Sequence, residues 1–553
     1  MLKFNENNGS FILFVSAAEE AKRAELAGLT LSTQIRGPNG EKVYYTSDPS
    51  RQPDYNPYAA LEFYEQADEA ARSQLLPLRA DYLKSWAKET TGFVAPCPDG
   101  KEPMEFQNAG VEYCLNRTNS IIGDEMGLGK TVQALLLANA TDAKRVLVVC
   151  PASIRRNWRK EIYEWSTLRR ASVECIEKGS QGVNPHVNYT VVSYDLLRNP
   201  GIHAALRSTR FDLGVFDEAH YVKSSEAQRT RALFGGGQRP LPGDNKYSYY
   251  ENGLDRNIER MVALTGTPLP NRPREAYTLA RGLNWEAIDY LSHDAFLDRY
   301  NPSGYNEETG GRWETKGRLG ELNARLRTNL MVRRLKADVL PQLPDKRYEM
   351  TYIEPDGKIA EILARESLID FDPRDLWNPD FTLDGTPIST LRREMGEAMV
   401  PRVVDYIKYM MDIVEVPKLI LYAHHKSVIN MLVEALDGKY GVVTHRGGMN
   451  TGAKEDAKRT FISGRPRIFL GQLDTMEGVD GLQSVCRTVV FAEPAWNPGR
   501  NEQCVDRAHR IGQHDNVVAH FLLVEGSFNE KVLNVVLDKA GNIHEALDQR
   551  LVV

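Results

Sequence analysis

The chain has 553 residues, 42% of them hydrophobic and 26% charged, with a formal net charge of −6 at pH 7. That length allows several domains of roughly 150 residues; the net charge excludes a uniformly basic nucleic-acid coat, though not a local channel touching a few phosphates. Six scattered cysteines without a Cys-x-x-Cys pair argue against a zinc site or disulfide framework. With no apolar run near ~18 residues and no signal-peptide pattern at the amino terminus, a soluble intracellular protein is expected.

In chain order, residues 1–95 read as a small α+β domain. Phe11–Val15 and Lys42–Thr46 alternate like strands, with a Gly-Pro-Asn-Gly turn at 37–40 between them. Ala59–Lys88 reads as a helix whose apolar face is Leu61, Tyr64, Leu75, Leu78, Tyr82 and Trp86. Pro96-Cys-Pro-Asp-Gly100 marks a boundary.

Residues 96–285 alternate strand and helix. Ile121-Ile122 run into the glycine loop Gly123-Asp124-Glu125-Met126-Gly127-Leu128-Gly129-Lys130-Thr131, followed by the helix formers Val132–Asn139. Strand, glycine loop and helix are the context of a phosphate-binding loop. Gly127 and Gly129 let backbone N–H groups face a polyphosphate at a helix N-terminus. Lys130 can reach the β/γ-phosphates, and the Thr131 hydroxyl can ligate Mg²⁺. The strict pattern has glycine where this chain has Asp124. The physical requirement is N–H groups, an ammonium and a hydroxyl, and those are present.

Val146–Val149, Thr190–Ser193, Leu213–Phe216 and Val262–Leu264 are further short apolar runs, which predicts a parallel sheet with ligand groups at its carboxyl edge. Asp217-Glu218-Ala219-His220 ends one of them. Asp217 can hold Mg²⁺, and Glu218 is placed to orient or deprotonate an attacking water. An inserted loop is expected at Gly235–Gly243. Residues 286–415 read as helical insertions and a linker, too polar and Pro-broken around Phe371–Trp377 for a sheet. Alternation resumes over 416–553, with strands at Leu419–Leu421, Val442-Val443, Ile468–Leu470, Val489–Phe491 and Phe521–Val524.

Asp124–Thr131, Asp217–His220 and Leu264-Thr-Gly-Thr-Pro-Leu-Pro-Asn-Arg-Pro273 resemble motifs I, II and III of Swi/Snf-type ATPases of helicase superfamily two. Met331–Pro344 resembles the segment that joins the lobes in that family, and Trp496-Asn-Pro followed by Gln503–Gln513 resembles its final motif. The likeness runs over about residues 103–540. Glu477-Gly-Val-Asp-Gly-Leu-Gln483 departs from the usual double glycine and Gly-Leu-Asn of motif V.

The resemblance implies an α/β fold: two RecA-like parallel-sheet lobes with helical insertions behind the N-terminal domain. It implies that Gln107 reads adenine, that Asp480 contacts the ribose, and that Arg507 and Arg510 reach the γ-phosphate with Gln503 in support. A turn-forming Asp-Gly is the alternative at Asp480. Thr265 and Thr267 would couple the nucleotide site to the nucleic acid. Pro151, Ser153, Arg155, Trp158, Ser193 and Tyr194 on lobe one, and His424, His445, Arg446 and Trp496 on lobe two, would contact nucleic acid. For Arg155–Lys160, a solvated helix face with Trp158 packed inward is the alternative. Arg325, Arg327, Arg333, Arg334 and Lys336 would add a basic strip. Phosphate contacts of this kind read no bases.

Tyr44–Asp48 and the undecorated lobes resemble the HepA-related (HARP-like) branch of annealing helicases. The expected function is an ATP- and Mg²⁺-dependent translocase, a monomer that remodels or reanneals duplex or branched DNA. The alternatives are a strand-separating DNA or RNA helicase and, in another class, a non-hydrolysing DNA-bound scaffold. The compact chain points to a bacterial or phage source and a cytoplasmic, nucleoid-associated protein, or a nuclear one if eukaryotic.

Overall fold

A computed structural model of the protein describes residues 1–6, 10–27, 29–46, 56–225, 227–235, 253–266, 276–301, 303–306, 311–314, 318–369, 371, 387–476 and 479–535. Thr267, Glu477, Ser47 and Asp48, the loop after Gly235 and residues 372–377 lie outside them. The chain divides by its contacts into two units, with the main boundary at Val339/Leu340, inside the stretch expected as insertions and linker, and with Met126–Leu128 grouped with the second unit.

The N-terminal sheet is antiparallel, ordered β1-β2-β4-β3 from Leu2–Asn5, Ser10–Val15, Leu29–Arg36 and Lys42–Thr46. Leu2, Phe11, Leu13 and Tyr44 on its inner face pack on Ala21 and Ala24 of α1 (Ala18–Ala27) and on Leu75 and Tyr82 of α3 (Glu69–Lys84). The expected single helix over 59–88 is divided. A short α2 (Pro57–Ala60) runs into a 3₁₀ turn, and α3 starts afresh where the Asp68 carboxylate accepts the Ala71 N–H at 2.9 Å.

The first large sheet takes the order β13-β5-β10-β9-β6-β8-β7, every pairing parallel. Its strands are β5 (Asn119–Ile122), β6 (Val146–Cys150), β7 (Val173–Cys175), β8 (Tyr189–Ser193), β9 (Phe211–Asp217), β10 (Ile258–Leu264) and β13 (Met331–Val332). The period-two geometry of a strand is visible in the packing. Val146 and Val148 join one core with Leu135 and Trp158, while Leu147 and Val149 join the other with Phe216 and Tyr277. Both faces are covered by helices, so the strands are apolar throughout. Helices α4 (Glu105–Leu115), α5 (Lys130–Ala140) and α6 (Arg155–Trp165) lie against the first of these cores, and α11 (Leu319–Asn329) contributes to the second and packs on α1, α2 and α3.

The second unit holds a sheet ordered β14-β19-β18-β15-β17-β16, again all parallel. Its strands are β14 (Lys346–Tyr352), β15 (Leu419–Ala423), β16 (Val442–His445), β17 (Ile468–Gln472), β18 (Thr488–Phe491) and β19 (Val517–Leu523). β14 lies within the expected linker; its polar, exposed sequence hides it, yet each of its seven residues pairs with one of β19. Helices α13 (Gly357–Glu366), α14 (Pro387–Asp412) and α15 (Lys426–Tyr440) complete that core.

Candidate nucleotide and nucleic-acid sites

In the first sheet, strand register assembles the site. Leu264 is the register partner of both Ile122 and Asp217, and Val332 pairs with Ile122. The next residue of each strand therefore stands in one row at the carboxyl edge: Arg333, Gly123, Thr265 and Glu218. Buried Thr265 donates its N–H to the Ile122 carbonyl at 3.2 Å. This is the edge at which open parallel sheets bind ligands.

The glycine loop leaves β5 there and ends at Gly129, which is left-handed (φ +72°) and caps α5. Two features favour glycine at Gly129. The φ favours glycine, and an added Cβ would come within 2.5 Å of Nε2 of Gln107. Gln107 thus stands against the loop, its own Oε1 accepting the Met104 N–H at 3.0 Å. Lys130 Nζ donates to the Asp124 carbonyl at 2.9 Å and to the Glu125 carbonyl at 3.4 Å. Burial lowers the Lys130 ammonium pKa, opposed by the charges of Glu218, Asp124 and Asp217.

Asp217 sits beside that lysine. Burial, then the charge of Glu218, pushes its carboxyl up to about 7. Its Oδ2 accepts the Trp158 indole N–H at 2.8 Å and its Oδ1 accepts the Glu218 N–H at 2.9 Å. Glu218 itself is left-handed (φ +50°), a rare backbone for a non-glycine residue, and its Oε2 lies 3.3 Å from Nδ1 of His220. A costly, closely placed pair of carboxylates with an ammonium and the neighbouring Thr131 hydroxyl suits a divalent cation with polyphosphate.

The Asp124 carboxylate is absent from the surface of the loop: it is buried, accepting from Arg334 Nε at 2.9 Å and Gln133 Nε2 at 2.8 Å. The missing pattern glycine is thus an anchor that ties the loop to α5 and β13. Glu125 is tied similarly, accepting the Lys336 N–H at 2.7 Å. The basic strip is also absent as a surface, since Arg325, Arg327, Arg333, Arg334 and Lys336 are all buried. Arg325 Nε donates to Glu321 Oε1 at 2.7 Å, and Arg334 pairs with Asp124. A cation among apolar groups needs a partner, and each of these has one inside the fold.

Of the two readings of Arg155–Lys160, the inward one holds for Trp158, which is 1% exposed and donates to Asp217 rather than facing nucleic acid. Tyr194 is buried too, its hydroxyl donating to the Asp217 carbonyl at 2.8 Å. Pro151 and Ser193 are buried at the ends of β6 and β8, whereas Ser153 is exposed. Arg155 is half-buried and donates to the carbonyls of Ala152 and Ile176. Sequence reasoning missed Trp158, Tyr194, Gln133 and Arg334 as supports of the nucleotide-site residues. The apolar Met331-Val332 before Arg333-Arg334 was the signal for a strand ending at the site.

In the second unit the carboxyl edge carries His424, His445, Gln472 and Glu493. Glu493 Oε2 accepts the N–H groups of His424 and His425 at 2.8 and 2.9 Å. Burial lowers both His424 and His445 to about 4, with Arg392 adding to the effect on His424 and Lys454 to that on His445. At neutral pH these rings offer hydrogen bonds, not positive charge. Trp496 is buried, donating to Asn529 Oδ1 at 2.8 Å beneath the Arg392 guanidinium, 4.2 Å from its ring. A buried indole offers little surface to nucleic acid, contrary to the contact expected of Trp496. Arg446 donates to Asn430 Oδ1 at 2.6 Å.

Asp480 accepts from Lys458 Nζ at 3.0 Å, and Gly481 after it, with φ +83°, caps the 3₁₀ turn Leu482–Ser484. Gln503 is buried and accepts from Arg500 Nη1 at 3.4 Å; Arg507 donates to the Val479 carbonyl at 3.2 Å; Arg510 is half-buried.

A glycine loop and a strand-end Asp-Glu pair on one parallel sheet, with a second parallel-sheet unit following in the chain, define the two-lobed core of a helicase-type ATPase. The chain carries an SNF2-related domain, matched over residues 106–235 and 244–379, followed by a helicase conserved C-terminal domain, matched over 402–512. It is 28% identical over 516 residues to the Xenopus tropicalis "SWI/SNF-related matrix-associated actin-dependent regulator of chromatin subfamily A-like protein 1", covering 87% of this chain and 50% of that protein. It is 29% identical over 449 residues to the Bos taurus "DNA annealing helicase and endonuclease ZRANB3", covering 79% and 40%. The chain thus spans half the length of these relatives or less. Among solved structures, the Sulfolobus solfataricus SWI2/SNF2 ATPase core in complex with dsDNA matches at 18% identity and TM-score 0.37, covering 80% of this chain and 92% of that one.

Proposed function

We propose that the protein is an ATP-dependent DNA translocase that remodels or reanneals duplex or branched DNA without reading its sequence. The observation that carries the reading is the row at the carboxyl edge of the first sheet, with Lys130 and Asp217 beside it. In this reading the loop N–H groups and Lys130 bind the triphosphate, and Gln107 recognises adenine. Thr131 and Asp217 would hold Mg²⁺, which would offset phosphate charge. Glu218 orients the attacking water and takes its proton. Arg507 and Arg510, with Gln503, act on the γ-phosphate. Thr265 and Thr267 relay the state of the nucleotide, and the two units grip the DNA backbone in turn. His424, His445 and Arg446 contribute backbone contacts.

Within this reading residues 1–95 form an accessory domain, the first lobe runs from 96 to the unit boundary at Val339, and the second lobe starts at Leu340 and includes β14, α13 and α14. The site of action is the nucleus in a eukaryotic source and the nucleoid in a bacterial one. The test is phosphate release measured with duplex DNA, single strands, forks and RNA. Duplex- or fork-stimulated turnover is expected; stimulation by RNA alone, or none by any nucleic acid, overturns the reading. Lys130→Ala and Glu218→Gln should each remove hydrolysis from a folded protein, by roughly 10²-fold or more for the general base.

A further inference from the structure

We propose that Arg333 is a positioning residue for the phosphate loop, and that the N-terminal domain sets the loop geometry through it. The proposal rests on the reading of Lys130 and Glu218 as an ATP site and deepens it.

The Arg333 side chain is 4% exposed. Its Nη1 donates to the Gly123 carbonyl at 2.6 Å and the Gly266 carbonyl at 3.1 Å. Gly123 opens the glycine loop and Gly266 directly follows Thr265, so one planar cation holds two neighbouring loops at their roots. The chemistry matters because a carbonyl turned toward a polyphosphate repels it. A guanidinium that engages both carbonyls keeps them turned aside, leaving N–H groups for the phosphate.

The backbone of Arg333 is fixed from the other side. Its N–H donates to the carbonyl of Ser85, the residue that ends α3, at 3.2 Å. Its carbonyl accepts from Arg327 Nη1 at 2.8 Å. The Arg327 guanidinium lies 3.3 Å from the centre of the Trp86 ring, a close cation–π contact between two buried side chains. An unbroken chain of contacts therefore runs from the end of α3, through Trp86 and Arg327, to Arg333 and the two loop carbonyls. The domain at the amino terminus is built into the support of the site.

The experiment compares steady-state ATP hydrolysis and binding of a fluorescent ATP analogue in the full chain and two sets of variants. Arg333→Lys keeps the charge but loses the planar fork. It should lower kcat about tenfold or more, the scale of a small misplacement in the site, with ATP affinity within about twofold. Trp86→Ala, outside the ATP site, should lower kcat several-fold with ATP affinity kept, and Trp86→Phe, which retains a ring face, should restore it. Wild-type kcat in Arg333→Lys, or a loss of turnover that follows lost ATP binding, overturns the positioning role. Wild-type kcat in Trp86→Ala overturns the part assigned to the N-terminal domain, and that arm stands even if Arg333→Lys does not fold. Absence of DNA-stimulated turnover in the unaltered protein would instead sink the functional reading itself.

Discussion

Asp217 shows how much of this site lies in groups that never touch a ligand. Both of its oxygens accept a hydrogen bond, from the Trp158 indole and from the Glu218 N–H. These bonds orient a carboxylate that burial and Glu218 otherwise disfavour. Trp158→Phe removes one donor and keeps the ring. A lost hydrogen bond to a charged group is worth about 1.5–3 kcal/mol, so the Mg²⁺ concentration for half-maximal hydrolysis should rise roughly tenfold. DNA affinity should not change. A weakened DNA complex with unaltered Mg²⁺ dependence would return Trp158 to the nucleic-acid face.

At the scale of elements, α4 is placed by a glycine. Gly110 lies inside α4, where alanine ordinarily stabilises by up to ~1 kcal/mol. Here a Cβ would stand 2.2 Å from Gln133 Oε1 and 2.5 Å from Arg334 Nη2, inside the network that anchors Asp124. We expect the sign to reverse: Gly110→Ala should lower the melting temperature and raise the KM for ATP. A gain in stability would mean that the network yields without cost.

In the second unit, α13 carries buried Glu366, whose Oε2 accepts the Phe528 N–H at 2.8 Å. Burial raises its carboxyl to about 7. Unfolded, it ionises near 4.5, so between those values folding takes up a proton. Its contribution is fully present below about 4.5 and is lost as pH rises through 7, by about 3 kcal/mol at most. Glu366→Gln should flatten this dependence and raise the melting temperature at pH 8 but not at pH 4.5. A larger gain at the lower pH would contradict the assignment.

For the whole molecule, the formal charge of −6 conceals where the cations are. Glu321 is fully buried; burial alone would raise its pKa, but Arg299, Arg325 and Arg318 hold it at about 2. Removing one partner from a buried pair costs about 3–5 kcal/mol. Arg325→Ala should therefore lower the melting temperature markedly and leave the salt dependence of DNA affinity unchanged. A shallower dependence with native stability would place Arg325 on phosphate.

Sequence alone determined the elements whose signal is local. The apolar runs of both parallel sheets, the glycine loop and the Asp-Glu strand end were legible because side-chain period and backbone freedom depend on neighbours a few residues away. The motif order was legible too, and with it the family. The tertiary structure alone decided what each polar group faces. Asp124 became an anchor and five cations left the surface because burial pairs charges brought together across distant segments. Arg333 reached the phosphate loop for the same reason: a two-residue strand, almost invisible in composition, gains its register only from the sheet beside it.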